Sequence, residues 1–270
     1  MEDTTPPAPA RSTWIAELRF LALLALSVFT LHSLVGKPFY IPSESMMPGL
    51  ITGDHLVVSK YPYGWSYTSP GFHLLPFIKG RLFGRMPERG DVVILIPPAA
   101  DRRGEDLIKR VIGLPGDTVQ MIDGRLWLNG KAVAVRSEGL RPVPTDGSFG
   151  CDRPGQAGYC MLPVIRETLP NGASYRTIDL GHSRLDDTPR YTVPAGRVFV
   201  MGDNRDNSAD RRLPVEENGL GGAIPVENIS GRAEFITFSL NGQATWNSLG
   251  WFSAFREGRA GTTLRPDDMN

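Results

Sequence analysis

Ser43 and Ser45, one residue apart in the stretch YIPSESMMPGL (40–50), are the first side chains in this sequence that could do covalent chemistry. A serine hydroxyl becomes a useful nucleophile only when a base takes its proton and a polar site holds the oxyanion that forms. The familiar base is histidine, and the chain has His32, His55, His73 and His182. His32 lies inside an apolar run, His73 and His182 sit in loop-like surroundings, and there is no G-x-S-x-G sequence. A Ser-His-Asp arrangement therefore finds no support. The same scatter gives no metal-ligand spacing, so neither zinc nor another cofactor is expected.

A lysine base fits better. In DLIKRVIGL (106–114), strand alternation puts Leu107, Lys109 and Val111 on one face and Ile108, Arg110 and Ile112 on the other. Apolar neighbours disfavour an ammonium and lower its pKa. A base active near neutrality needs a pKa of about 7 instead of ~10.4, which is about 4 kcal/mol of differential solvation. On spacing alone, the plainer reading is a lysine whose stem packs on the sheet while its amine reaches water. A third stretch, MGDNRDNSADRR (201–212), crowds Asp, Asn, Arg and Ser directly after an apolar strand. It reads either as a solvated loop held by Asx-turns or as a buried polar scaffold that positions nearby groups.

These groups need elements to hold them. The chain has 270 residues, room for one sizeable core with an appended unit, and its 29 Lys+Arg balance 29 Asp+Glu. No basic excess points to nucleic acid. Thirty glycines and 23 prolines fall between short apolar runs, which favours a turn-rich, mainly β protein. Strands are expected over 54–61, 90–97, 106–114, 196–203 and 231–240. A hairpin is expected over 118–133, with Asp123-Gly124 and Asn129-Gly130 as its turns.

Phe20 to Gly36 carries no charged residue and would span roughly 25 Å as a helix, slightly short of a ~30 Å hydrocarbon core. Trp14, Ile15, Phe39 and Tyr40 can extend it into the interfaces. A retained anchor suits it better than a cleavable signal peptide, because LVGKPFY is a poor small-x-small site. The expected organisation is a cytoplasmic tail (1–19), an anchor (20–36), and an antiparallel β catalytic domain from 37–136 and 191–247. An irregular inserted cap (137–190) and a C-terminal tail (248–270) complete it. The cap holds Cys151 and Cys160, which suit a small disulfide loop outside the cytoplasm; two unrelated free thiols fit the spacing about as well.

Taken together, these stretches resemble the bacterial type I signal peptidases (leader peptidases), serine proteases with a Ser-Lys dyad. IPSESMMPGL follows the anchor, RGDVVIL stands at 89–95, IKRVIGLPGD at 108–117, MGDNRDNSADRR at 201–212 and GGAIPVENISGRA at 221–233. They occur in the family's order over most of Phe39 to Ala233. The resemblance implies Ser45 as nucleophile, Lys109 as general base, and the Ser43 hydroxyl as an oxyanion donor beside the Ser45 N–H. By the same correspondence Ser208 would hydrogen-bond the base lysine and orient it. Asp203, Asp210 and Arg212 would support the site, with Arg110 paired to Asp203. Ile41, Pro42 and Ile108, and more weakly Leu107 and Leu50, would line shallow pockets for small substrate side chains.

The implied substrate is an exported preprotein still held in the membrane by its signal peptide, cut after an Ala-x-Ala-like sequence through an acyl-enzyme. From Lys37 to Ser45 an extended chain reaches at most about 28 Å, so the nucleophile stays near the bilayer. Met46, Met47, Tyr40 and the loop YPYGWSY (61–67) are then candidates to enter the lipid interface, while Tyr63 and Trp65 also fit a core role. The expected location is the bacterial inner membrane with the N-terminus cytoplasmic, and nothing in the sequence asks for more than a monomer.

Three positions depart from the family's pattern, and one of them, Gly49 in place of a frequent threonine, is expected to have no consequence. Arg211 replaces a common serine and is expected to point to solvent. Glu44 replaces a frequent glycine between the two serines; it either strains the turn, stabilises a charged Lys109, or is turned away from both serines by alternation. A non-catalytic, membrane-anchored envelope protein that binds extended peptides by strand addition is the rival reading.

Overall fold

The apolar run near the N-terminus forms helix α1 (Thr13–Thr30), continued by a π-helical turn over Leu31–Val35. The structure, a computed structural model, describes residues 13–69, 80–102, 104–145, 150–156, 158–242 and 254–268. The helical stretch suited to crossing a membrane is Trp14–Val35, 22 residues long. It starts earlier than the charge-free run and takes in Glu17 and Arg19. At 1.5 Å per residue it reaches about 33 Å, enough for a hydrocarbon core. Leu21, Leu23 and Leu26 are exposed on it, so it is not a core helix. It ends where Gly36 and Pro38 interrupt the pattern, and Gly36 opens a strand instead of closing the helix.

Among the described residues fifteen strands follow in chain order: β1 (Gly36–Tyr40), β2 (Asp54–Ser59), β3 (Val92–Leu95), β4 (Leu107–Gly113), β5 (Thr118–Ile122), β6 (Arg125–Leu128), β7 (Lys131–Ala132), β8 (Ala134–Pro144), β9 (Tyr159–Thr168), β10 (Ala173–Ile178), β11 (Tyr191–Thr192), β12 (Arg197–Met201), β13 (Ile224–Pro225), β14 (Ile229–Ser239) and β15 (Asp267–Asp268). The main sheet is antiparallel, in the order β1-β2-β14-β3-β4-β12-β13. Its central strands β3 and β4 are buried on both faces apart from the first residue of β4, which explains their unbroken Val-Ile-Leu character. The β5-β6-β7 meander forms a second sheet with β11. Both of its turns have positive φ at the two central residues: 49° and 70° at Asp123-Gly124, and 54° and 74° at Asn129-Gly130. That is the geometry the Asp-Gly and Asn-Gly signals specify.

The segment expected as an irregular cap contains strands β8, β9 and β10, which form a third sheet with β15. Prolines hid it. Pro142 and Pro144 lie on β8, an edge strand, and Pro163 lies in β9 beyond the end of β10; in each place a missing N–H is tolerated. The Cys151–Cys160 disulfide closes the loop at the end of the β8–β9 hairpin.

The turn carrying Ser45 is clamped between two apolar clusters. Met46 and Leu50 enter the main-sheet core with Ile41, Leu56, Val92, Ile94 and Ile108. Met47 and Ile51 enter the cap core with Val143, Cys160, Leu162, Val164 and Ile178. Both methionines are 1% exposed, which overturns the expectation that they enter a lipid interface. Burying each contributes about 1.5–3 kcal/mol toward holding the turn. Tyr63 is buried and donates a 2.6 Å hydrogen bond to Asp91, a core role. Trp65 donates through Nε1 to the Leu34 carbonyl at 3.0 Å, tying its loop to the end of the helical segment. In the C-terminal stretch Ala254 and Leu264 are buried and Phe255 is exposed, while Leu249, Trp251 and Phe252 lie outside the described residues.

Candidate active site

Lys109 projects from β4 beside Val93 of β3, on the face shared with Leu107 and Val111. Its Nζ stands 3.0 Å from Ser45 Oγ, a hydrogen bond between residues 64 apart in sequence. Lys109 is 3% exposed. Burial lowers its pKa to about 8, with the Asp210 and Asp203 carboxylates opposing the fall and the Arg102 and Arg212 charges assisting it. Lys60 is also buried and also lowered to about 8, by burial first and then by the Lys37 charge. A lowered pKa therefore does not select the base. Among the described residues, only Lys109 of these two lysines stands within reach of a serine hydroxyl.

The polar stretch after β12 is a buried scaffold, not a solvated loop. Arg110 grips Asp203 with two bonds of 2.8 and 2.6 Å, donates to the Gly90 carbonyl at 2.7 Å, and lies 4.3 Å from the Tyr175 ring centroid. Arg212 grips Asp210 at 3.0 and 2.9 Å and reaches the Arg205 carbonyl. Burial works to raise the Asp210 carboxyl pKa. The Arg212 charge and the N–H groups of Arg212 and Gly202 outweigh it and hold the carboxyl below its usual range. Gly202 is required by close approach, since a Cβ there would meet Ser208 Oγ at 2.2 Å and the Ser45 carbonyl oxygen at 2.4 Å.

Three expectations need correction or sharpening. Ser208 is buried against Gly202, and its hydroxyl makes no hydrogen bond to Lys109 or to any other described residue. Arg211 does not point to solvent; its guanidinium stacks 3.8 Å from the Tyr191 ring centroid, exchanging hydration for a cation–π contact. The Glu44 carboxylate accepts a hydrogen bond from Asn207 Nδ2 at 3.2 Å.

Of the expected pocket residues, Pro42 is exposed and Leu107 half-buried, while Ile41, Leu50 and Ile108 are packed into the core at 1%, 1% and 7% exposure. Ser43 is exposed beside them. A cavity of about 250 Å³ lined by Met46, Gly49, Leu50, Arg110 and Asp203 lies on the opposite face of β4 and includes neither Ser45 nor Lys109. The hydrogen-bonded pair, rather than cavity size, marks the site. Among the described residues no group of His, Cys, Asp and Glu could hold a metal.

Residues 12–238 match the family model described as signal peptidase, peptidase S26. The chain belongs to that signal peptidase family. It is accordingly a serine protease, and the reading as a non-catalytic peptide binder is set aside. The signal peptidase I of Rickettsia typhi is 35% identical over 245 residues, covering 87% of this chain and 83% of the relative. That of Rickettsia akari is 36% identical over 228 residues, covering 82% and 77%. A crystal structure of signal peptidase I from Enterococcus faecalis is 24% identical and covers 55% of this chain and 97% of that one; its TM-score of 0.29 is too low for a comparison of folds. Sequence reasoning missed one signal peptidase residue at this site, Asn204, whose contacts run to the Ser45 turn across 160 positions of chain and leave no periodic trace.

Proposed function

We propose that this signal peptidase removes N-terminal signal peptides from exported preproteins by acylation of Ser45, with Lys109 as general base. The observation that carries the reading is the 3.0 Å contact between Ser45 Oγ and a buried lysine whose pKa is lowered to about 8. Ser45 Oγ attacks the scissile carbonyl carbon while its proton passes to Lys109 Nζ. The resulting oxyanion accepts hydrogen bonds from the Ser45 N–H and the Ser43 hydroxyl. Lys109 then protonates the leaving amine, and the signal peptide remains as an ester on Ser45. Water, deprotonated by Lys109, hydrolyses that ester.

Substrate choice follows from packing. Of the residues expected to line the substrate surface, Pro42 is exposed and Leu107 half-buried while Ile41 and Ile108 are packed into the core, which favours a shallow surface that takes small side chains. With the apolar helix Trp14–Val35 as a membrane anchor and the N-terminus cytoplasmic, the site would lie on the extracytoplasmic face of the inner membrane, close to a substrate that is itself held in lipid. The protein acts as a monomer in contact with lipid.

Purified full-length protein in detergent should cut a preprotein once, after its Ala-x-Ala sequence, as read by N-terminal sequencing of the product. Replacing the alanine before the scissile bond with phenylalanine should slow cleavage at least about 100-fold. Cleavage at unrelated positions, or indifference to that alanine, would sink the substrate assignment.

A further inference from the structure

We infer that Asn204 preorganises the oxyanion site by fixing the direction of the Ser45 N–H, making it a positioning residue for the acylation step. The inference rests on the Ser45–Lys109 reading and adds a residue to it. Asn204 is fully buried, at 0% exposure. Its side-chain Nδ2 donates to the Glu44 carbonyl at 3.2 Å, and its backbone N–H donates to the Ser45 carbonyl at 3.1 Å. One residue thus holds the two peptide units that flank the Ser45 Cα.

Peptide geometry turns those bonds into an aim. A trans peptide is planar, with its C=O and N–H pointing in opposite directions. The Glu44 carbonyl and the Ser45 N–H belong to the same unit, so tying the carbonyl toward Asn204 drives the N–H to the opposite side. The Met47 N–H donates to the same Glu44 carbonyl at 3.0 Å and tightens the hold. The Ser45 N–H itself donates to no described residue, as a donor kept for an oxyanion must. Asn204 Oδ1 is buried without a partner, so the amide's contribution here is its donated bond. Gly202, whose missing Cβ lets the chain lie against the Ser45 carbonyl, brings Asn204 to this spot.

Asn204→Leu keeps the branch at Cγ and removes the donor, and Asn204→Ala removes it without overpacking. Preprotein cleavage is measured in full-length protein for both variants, for Ser43→Ala, and for the double variants. The expected result is a fall in kcat of about 100-fold or more, with KM within about threefold and the acid limb of the pH profile unmoved, because the base is untouched. Combined with Ser43→Ala, the loss should be clearly smaller than the product of the single losses, since both residues serve one oxyanion. A kcat near that of the parent, a shifted acid limb, losses that multiply, or failure of both single variants to fold would each overturn the inference. Ser45→Ala reports separately on the underlying reading. Activity lost there but kept in the Asn204 variants would sink only this step.

Discussion

Lys109→Met is expected to lower preprotein turnover by at least about 10⁴-fold while making the folded domain more stable. The activity loss follows from the 3.0 Å contact, which leaves Ser45 without a base within reach once the amine is gone. Ser45→Ala should lose as much activity without the gain in stability. The gain follows from the lowered pKa, about 8 in the fold against 10.5 for a free lysine. Below about 8 both folded and unfolded chains carry the charge, and the fold bears the full cost of burying an ammonium. Between about 8 and 10.5 the unfolded chain binds the extra proton, so parent stability rises with pH. Methionine removes that cost. The variant should be more stable by about 2–3 kcal/mol at pH 7, and the advantage should fade as pH approaches 10.5. Urea unfolding at pH 7 and pH 10 checks both parts. A destabilised variant at pH 7 would show that Lys109 is held charged by its surroundings.

Asp203→Ala is expected to destabilise the domain by about 3–5 kcal/mol, enough to unfold much of it at 37 °C. Arg110 and Asp203 are 7% and 2% exposed at their side chains, and removing one leaves the other as an uncompensated buried charge. The damage should spread, because the Asp203 carbonyl accepts from the Ile178 N–H of the cap sheet. Replacing Arg110 and Asp203 together, as Arg110→Met with Asp203→Leu, should recover much of the stability, since two apolar groups leave no orphaned charge. Urea midpoints of the single and double variants decide this. A single variant within 1 kcal/mol of the parent by that assay, an order-of-magnitude threshold well under the expected cost, would mean water reaches the pair.

What could be read from the sequence was what local pattern controls. The Val-Ile-Leu runs of β3 and β4 and the Asp-Gly and Asn-Gly turns are short-range signals, and the strands and turns formed where those signals stand. Alternation also placed Lys109 correctly with Leu107 and Val111. The cap sheet was not legible, because Pro142, Pro144 and Pro163 break the apolar pattern at sites where only tertiary position makes proline harmless. Side-chain direction at a turn was not legible either. Met46 and Met47 look exposed beside Pro48 and Gly49, yet two separate cores take them up. Arg211 looked solvated until Tyr191, 20 residues earlier, supplied a ring face. Glu44 needed Asn207 in place before its direction was defined.

The central claim is that a neutral Lys109 activates Ser45, and the pH dependence of kcat/KM for preprotein cleavage tests it most directly. Full-length protein should show a rate rising about tenfold per pH unit through the acid range, bending at about 8 and level above it. A bend at about 6.5, where an ordinary histidine titrates, or a rise that continues without a bend to 10.5, would contradict the account.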